Sequence, residues 1–290
     1  MVRGVTVACV LALGACGDDS THGTMPDAAA TGPCNLGAPF GPRMPLASLN
    51  THGEEEFPRL TADQLVIVFS RDKTLWMATR ASATAPFDPA TPIPGRPTPP
   101  PGWAPSLSSD GLTLYFSSAP GASSQVFVTH RSDRAADFPP ETPVALGSGG
   151  SEAHPFLLAD QSELWFVSAS GAGQFQIWRG VFGAGGAIKS MKVAELAGNW
   201  IDWAPTLTAD ALAIYFASSR GNTGNYDIYA ARRATRADAF GVPEVVPEIT
   251  TPGSLGRDIP GWITPDGCRI YLANAGNSAD MDLFYADRPR

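Results

Sequence analysis

Apolar and polar positions follow one pattern that occurs five times along the chain. In the clearest copy, residues 201–233, a Pro-x-Leu segment ends at Asp210, an alternating apolar strand follows from Leu212 to Phe216, and a second short strand contains Ile228 and Tyr229. The aspartates at the position of Asp210 are 47, 50, 50 and 56 residues apart: Asp63, Asp110, Asp160, Asp210 and Asp266. A period of this length is typical of the four-stranded blades of a β-propeller.

Each repeat predicts strands A to D, counted outward from the propeller axis. Strand B is the clearest, because it is short, rich in β-branched and aromatic residues and nearly free of charge, as expected when both faces are covered. It is predicted at 65–69, 112–116, 164–167, 212–216 and 269–272. Strand C follows at 74–76, 125–127, 176–178, 227–229 and 282–284.

Strand D is the weakest signal, at 138–144 and 240–246, where prolines suit an outer edge. The repeated Asp is predicted to be structural, because its side chain can accept hydrogen bonds from the backbone of the A–B turn. The fifth repeat ends with strand C close to Arg290, so residues 40–46 are predicted to supply its missing outer strand. The predicted fold is therefore an all-β propeller of five four-stranded blades, closed by an N-terminal strand.

The N-terminus predicts export. Arg3 precedes an apolar run from Val5 to Leu13 that is too short to span a bilayer. Leu13-Gly14-Ala15-Cys16 resembles a bacterial lipobox, which makes Cys16 the lipidation site; the alternative is an ordinary signal peptide cleaved before a chance cysteine. We therefore predict a signal peptide at 1–15, a flexible tether at 16–33 and a propeller domain at 34–290. Gly17 favours the outer membrane of the cell envelope, with the domain facing the periplasm or the surface.

Two cysteines remain after export. Cys9 is lost with the signal peptide and Cys16 is committed to lipid, so Cys34 and Cys268 are left in an oxidising compartment. Cys34 precedes the closing strand, and Cys268 begins strand B of the blade that this strand completes. A Cys34–Cys268 disulfide is predicted to secure the ring, and the alternative is two unpaired thiols.

Charge and motifs exclude several functions. The chain has 20 basic and 28 acidic residues, a net charge of −8; loss of Arg3 with the signal peptide leaves 19 against 28, or −9. Such a chain is not expected to bind nucleic acid or an anionic membrane surface, so membrane contact is predicted through the lipid alone. The sequence has no nucleophile elbow, phosphate loop or calcium loop, and its four histidines lack metal-ligand spacing. We expect a monomer with no cofactor and no metal.

Two segments carry a family resemblance. Residues 264–272 (TPDGCRIYL), together with Ser218-Ser219-Arg220 and residues 226–229 (YDIY), resemble the repeats of TolB-like propellers, and the similarity extends over nearly everything after Phe40. The resemblance implies a periplasmic or envelope protein that binds partners at the propeller mouth; TolB itself works with the peptidoglycan-associated lipoprotein. The family commonly has six blades, whereas five are counted in this chain.

Acidic residues mark the start of the innermost strand in four of the five repeats. Each lies eight residues before the repeated Asp: Glu55, Glu152, Asp202 and Asp258. Blade two has Gly102 at this position. His154 and four tryptophans are predicted nearby, at Trp103, Trp200, Trp203 and Trp262. In one interpretation the acids cap strands and the tryptophans fill gaps between blades. In the other, these residues form a binding mouth for a cation, a basic peptide or a sugar.

Two function classes follow. The first is a non-enzymatic envelope module that binds an envelope protein or a glycan. The second is a carbohydrate-active enzyme, because five-bladed glycosidases also place acids at the propeller centre. Two carboxyls about 5–9.5 Å apart in an open cleft, one with a raised pKa, would favour the enzyme. Buried, backbone-bonded acids would favour the binding module.

Overall fold

The structure of the chain is a computed structural model. The structure describes residues 1, 33–93, 102–119, 123–169, 173–221, 225–251, 257–275 and 280–290. Apart from Met1 and Pro33, the predicted signal peptide, the predicted lipidation site Cys16 and the predicted tether therefore lie outside the described residues. In the described part of the chain, no helix has the length and apolar character needed to cross a membrane.

Five four-stranded antiparallel sheets form the blades of a propeller, which confirms the predicted fold. The innermost strands contact one another in a closed ring around the axis. Blade one has the order β2-β3-β4-β5, blade two β6-β7-β8-β9, blade three β10-β11-β12-β13, blade four β14-β15-β16-β17 and blade five β18-β19-β20-β1. Their bounds are β1 Met44–Pro45, β2 Glu55–Leu60, β3 Val66–Arg71, β4 Thr74–Thr79, β5 Thr91–Pro92, β6 Gly102–Leu107, β7 Thr113–Ser118, β8 Gln125–His130, β9 Thr142–Pro143, β10 Ser151–Leu157, β11 Glu163–Ala169, β12 Gln176–Phe182, β13 Ile188–Lys192, β14 Asp202–Leu207, β15 Ala213–Ser218, β16 Asp227–Arg232, β17 Glu244–Val245, β18 Asp258–Ile263, β19 Arg269–Asn274 and β20 Asp282–Asp287. Within the described residues, three short 3-10 helices lie at Ala184–Gly186, Ala194–Leu196 and Pro247–Ile249.

The outer strands are shorter than the sequence predicts. β9 and β17 each have two residues inside the predicted segments 138–144 and 240–246. Proline removes a backbone donor, so the pairing ends where prolines cluster. Blade three has a five-residue outer strand, β13, which lies in a segment without proline that the sequence patterns did not identify.

The ring closes as predicted. Met44 and Pro45 of β1 pair with Tyr285 and Phe284 of β20, so an N-terminal strand completes the C-terminal blade. The predicted disulfide is confirmed as well, because Cys34 and Cys268 are bonded with their Cα atoms 5.7 Å apart. Strand pairing and a covalent bond therefore both secure the junction that no continuous chain crosses.

The hydrophobic core lies between neighbouring blades. Strand B supplies much of it: β11 is buried along all seven residues, and the B strands of the other blades are buried over most of their length. One cluster, for example, joins Ala213 and Tyr215 of blade four to Ile263, Ile270 and Leu272 of blade five. Burial on both faces explains why strand B is apolar without a strict alternation.

The repeated Asp is structural, as predicted. One carboxylate oxygen accepts the backbone N–H two residues later in every blade, for example Leu65 N–H to Asp63 at 3.0 Å and Leu212 N–H to Asp210 at 2.9 Å. Two of these aspartates also bind arginines of the next blade, since Arg134 lies 2.6 Å from Asp63 and Arg236 lies 2.7 Å from Asp160. The turn aspartates thus shape the hairpins and help to join the blades.

A repeated arginine supports the same turns. It follows strand C in four blades, where its Nε–H donates to a carbonyl of the A–B turn at 2.7–3.2 Å and its guanidinium lies 3.9–4.5 Å from a phenylalanine ring centroid. These arginines are Arg80, Arg131, Arg233 and Arg288. In blade three the position is Phe182.

Candidate functional site

Each innermost strand contains a bulge near its start. The antiparallel register shifts there in all five blades. In four blades the residue before a proline has positive φ, between 49° and 57°: Phe57, Ala104, His154 and Ala204. Bulges of this kind change the direction of one side chain. In blade five the corresponding residues are Pro260 and Gly261, and a Cβ on Gly261 would lie 2.5 Å from the backbone oxygen of Pro58.

The two predicted glutamates at the strand starts are buried and bonded within their own blades. Glu55 accepts hydrogen bonds from the N–H (3.2 Å) and hydroxyl (2.6 Å) of Thr51, and its carboxylate lies 2.6 Å from Arg71. Glu152 accepts the same pair of bonds from Ser148, at 3.1 and 2.6 Å. A hydroxyl residue four positions before the acid therefore fastens the loop that leads into strand A.

The two predicted aspartates have equivalent roles. Asp202 accepts from the Ser218 hydroxyl at 2.6 Å and from Arg220 at 3.1 Å. Asp258 accepts from the Thr251 N–H at 2.8 Å and lies 3.4 Å from Arg43. Burial raises the pKa of both aspartates, although the neighbouring donors act in the opposite direction.

Blade two has no acid at this position because there is little room for a side chain. A Cβ on Gly102 would lie 3.2 Å from side-chain atoms of both Leu75 and Phe116. The contacts of the four acids thus give each buried carboxylate a structural role. Their predicted role in binding stays a prediction. Replacing Glu152, Asp202 and Asp258 with Gln or Asn tests that role directly.

A row of four aromatic rings crosses the channel between blades. Phe57 of blade one contacts His154 of blade three edge to face at 4.9 Å between centroids, and His154 lies 5.6 Å from Trp203 of blade four. Trp203 stacks on Tyr226 at 4.4 Å with an interplanar angle of 11°. We call these four residues the aromatic row. It runs from the buried centre to the half-buried rings at the upper end of the channel, where the innermost strands begin.

Charged residues lie beside this row at the same end. Arg257 binds Glu54 at 3.2 Å and Glu56 at 3.3 Å, so one guanidinium joins two carboxylates; these three residues are the acid–arginine cluster. Arg257 also forms a backbone bridge with Tyr226, which connects the cluster to the aromatic row. Burial raises the pKa of Glu56 to about 7 despite the opposing charge of Arg257.

The remaining predicted residues separate into two groups. His154 is buried, and burial together with the charge of Arg59 lowers its pKa to about 3, so it is neutral at physiological pH. Trp103 is half-buried and packs against the cluster that contains Phe57. Trp262 lies at the opposite, lower end of the channel, beside residues of the A–B hairpins such as Ala159 and Ala209. The structure therefore brings His154 and Trp203 together but not Trp262.

Sequence reasoning missed Glu56, Tyr226 and Arg257. Among acidic residues it selected only the first position of strand A, where the buried acids lie, whereas Glu56 occupies the second position, as do the predicted Trp103 and Trp203. Adjacent residues of a strand point to opposite sides. In the run Glu54-Glu55-Glu56, a buried Glu55 therefore implies that Glu56 faces the other side of the strand. In the described residues, no group of three or more His, Cys, Asp or Glu side chains could hold a metal ion.

The raised pKa of Glu56 makes stability depend on pH. The folded protein favours the protonated carboxyl, so this contribution is complete below the ordinary pKa of 4.5 and is lost as pH rises towards about 7. Glu56→Gln keeps a neutral side chain, so we expect it to match the unmodified protein near pH 4 and to be about 2 kcal/mol more stable at pH 8.

Thermal unfolding of both proteins between pH 4 and pH 8 measures this effect. Glu54→Gln is the matched control, because Glu54 binds the same arginine but its side chain is 46% exposed. A pH-independent difference between Glu56→Gln and the unmodified protein would contradict the prediction.

Solved structures with a similar fold include TolB proteins and a glycoside hydrolase. The chain is 15% identical to a putative TolB from Agrobacterium tumefaciens, with a TM-score of 0.55 over 84% of this chain and 83% of that one. TolB from Acinetobacter baumannii is 17% identical, with a TM-score of 0.50 over 83% of this chain but only 57% of that one. A thermostable family-43 glycoside hydrolase is 14% identical, with a TM-score of 0.54 over 82% and 90% of the two chains.

These comparisons establish a propeller fold. No protein-family model matches the chain, and no curated protein is significantly similar to it. The chain resembles TolB propellers in fold, and it also resembles the fold of an enzyme, the family-43 glycoside hydrolase. Function has to be argued from the site itself.

Proposed function

We propose that the protein is a lipid-anchored, non-enzymatic binding module of the cell envelope, which holds an envelope protein or a glycan at the upper end of its channel. The observation that carries this proposal is the continuity of the aromatic row with the acid–arginine cluster. Residues of blades one, three, four and five converge there. Such convergence from separate blades is typical of a site rather than of one blade's internal packing.

The chemistry of this end suits a ligand with both apolar faces and polar groups. The paired rings of Trp203 and Tyr226 offer a flat apolar surface, and both side chains are half-buried. Glu54, Glu56 and Arg257 beside them can accept and donate hydrogen bonds. Sugar rings and extended peptides both present this combination of surfaces.

A binding experiment with the mature chain tests the proposal. The bait is incubated with detergent-solubilised envelope and, separately, with peptidoglycan and polysaccharide fragments. A Tyr226→Ala, Arg257→Ala double variant should lose the bound partner, because it removes the outermost ring and the cation of the cluster. Tyr285→Ala is the matched control, since Tyr285 is also half-buried but lies on strand C of blade five. Equal capture by the double variant and the unmodified protein would contradict a site at this end.

The proposed lipid anchor rests on the lipobox at Leu13–Cys16 and the polar segment after it. Cys16→Ser should move the protein from the membrane fraction to the soluble periplasmic fraction, because lipidation requires the thiol. Fractionation followed by mass spectrometry of the N-terminus measures both location and lipid. Unchanged membrane fractionation of the variant would refute the anchor.

One observation favours the second candidate, a carbohydrate-active enzyme. Glu56 has a pKa raised to about 7 and lies close to a second carboxylate, Glu54, which are properties of an acid pair in glycoside hydrolysis. Under this alternative, Glu56 donates a proton to the leaving group, and Glu56→Gln abolishes release of reducing sugars without weakening binding. Under the binding proposal, no reducing sugar is released by either protein.

A further inference from the structure

Arg59 differs from the other buried arginines of the propeller. It lies on β2, five positions into strand A, and is 2% exposed. Its guanidinium crosses the channel to blade four, where it donates to the Thr206 hydroxyl at 2.6 Å and the Pro205 carbonyl at 3.3 Å. It also lies 4.9 Å from the ring centroid of Phe156 in blade three. The corresponding positions of the other blades are all uncharged: Ser106, Phe156, Thr206 and Trp262.

No carboxylate of the described residues neutralises this cation. The acceptors of its hydrogen bonds are a hydroxyl and a carbonyl, and the four acids of the innermost strands bind donors of their own blades. Burial alone lowers the pKa of Arg59 to about 9, so it is still charged at neutral pH. A buried charge without a counter-charge is costly, and such charges are usually paired.

A small cavity adjoins Arg59 on the propeller axis. It lies at the lower end of the channel, where four blades contribute the residue that precedes the turn aspartate: Ser109, Ala159, Ala209 and Pro265. Its volume of about 20 Å³ exceeds the roughly 10–15 Å³ that one water molecule requires. The cavity is therefore large enough for a single small ion or solvent molecule and too small for a polyatomic ligand of metabolite size.

Two residues that line this cavity, Arg59 and Ser106, each have a donor without an acceptor in the described structure. The Nε of Arg59 is buried and has no hydrogen-bond partner in the described structure. Ser106, which also lines the cavity, accepts the Leu157 N–H at 2.8 Å, and this bond leaves the hydroxyl hydrogen of Ser106 available. Unsatisfied donors around a cationic group are the opposite of what a cation site needs and are suited to an anion.

We propose that the lower end of the channel is an anion site, in which Arg59 and Ser106 hold one monovalent anion of halide size. The anion supplies the charge that the fold does not, and it joins blade one to blade two through Arg59 and Ser106, while Arg59 itself bonds to blade four. It lies at the end of the channel opposite the proposed partner site, so it is a separate property of the protein.

Thermal unfolding at constant ionic strength tests this proposal. Replacing sodium gluconate with sodium chloride or bromide should raise the melting temperature of the mature protein by about 5 °C at saturation. Arg59→Met should abolish the halide dependence. The matched control is Arg131→Met, which removes a buried arginine that is already satisfied by the Gly111 carbonyl and the Phe138 ring. That variant should be less stable but keep the halide response.

A second measurement keeps the proposal testable if Arg59→Met does not fold. Crystals of the unmodified protein soaked in bromide should show an anomalous peak within hydrogen-bond distance of the Arg59 guanidinium. Absence of that peak, or an equal halide response in Arg59→Met and the unmodified protein, would overturn the site. Stabilisation by acetate or phosphate but not by halides would contradict the size assigned to the ligand.

Discussion

Replacing Cys34 and Cys268 together with serine should lower the stability of the propeller by about 2–5 kcal/mol and its melting temperature by about 5–15 °C. The two cysteines are 234 residues apart, so their bond closes a loop that spans nearly the whole domain. In the chain-entropy model a cross-link of this length restricts the unfolded chain by about 5 kcal/mol, which is an upper limit. Only two residues of β1 pair with β20, so the strand alone secures the closure weakly.

Calorimetry of the double variant, with and without reductant, measures this effect. The unmodified protein should fall to the melting temperature of the variant once it is reduced, whereas the variant should not respond. Non-reducing peptide mapping is the accompanying control and should recover Cys34 and Cys268 in one linked peptide. A variant as stable as the oxidised protein would show that strand pairing alone closes the ring.

The fold was predictable because its signals are local and repeated. The turn aspartates and the apolar B strands can be read from their spacing, and five copies reinforce one another. The Cys34–Cys268 pair was predictable because only two cysteines remain after export and they flank the predicted closure. The outer strands were less predictable, since pairing along a proline-rich edge depends on the backbone of the neighbouring strand. Blade three shows this most clearly, because β13 pairs over five residues with no distinct sequence signal.

The site was only partly predictable, because its geometry depends on contacts between blades. His154 and Trp203 were identified from the sequence, but their ring contact depends on the bulges that place blades three and four around one axis. Arg257 and Glu56 are 201 positions apart, and only ring closure brings blade five beside blade one. The burial of the four acids was not predictable from their side chains, because Asp and Glu are usually exposed; it results from tertiary packing.

Asp202→Ala should lower stability by about 3 kcal/mol while leaving partner binding by the folded protein unchanged. The Asp202 carboxylate is fully buried and accepts from Ser218 and Arg220, and the Arg220 side chain is only 10% exposed. Removal of one partner leaves a nearly buried guanidinium without its counter-charge, which is the costly change in an ion pair of this kind. The Ser218 hydroxyl loses its acceptor as well.

The matching Asp202→Asn variant separates charge from hydrogen bonding. Asparagine keeps an oxygen that can accept from Ser218, and burial already raises the pKa of Asp202, so the neutral side chain avoids part of the desolvation cost. We therefore expect Asn to destabilise less than Ala. Glu244→Gln on the exposed outer strand β17 is the surface control and should change stability by less than about 0.5 kcal/mol. If Asp202→Ala instead abolished partner binding with an unchanged melting temperature, Asp202 would belong to the binding site rather than to the support of strand A.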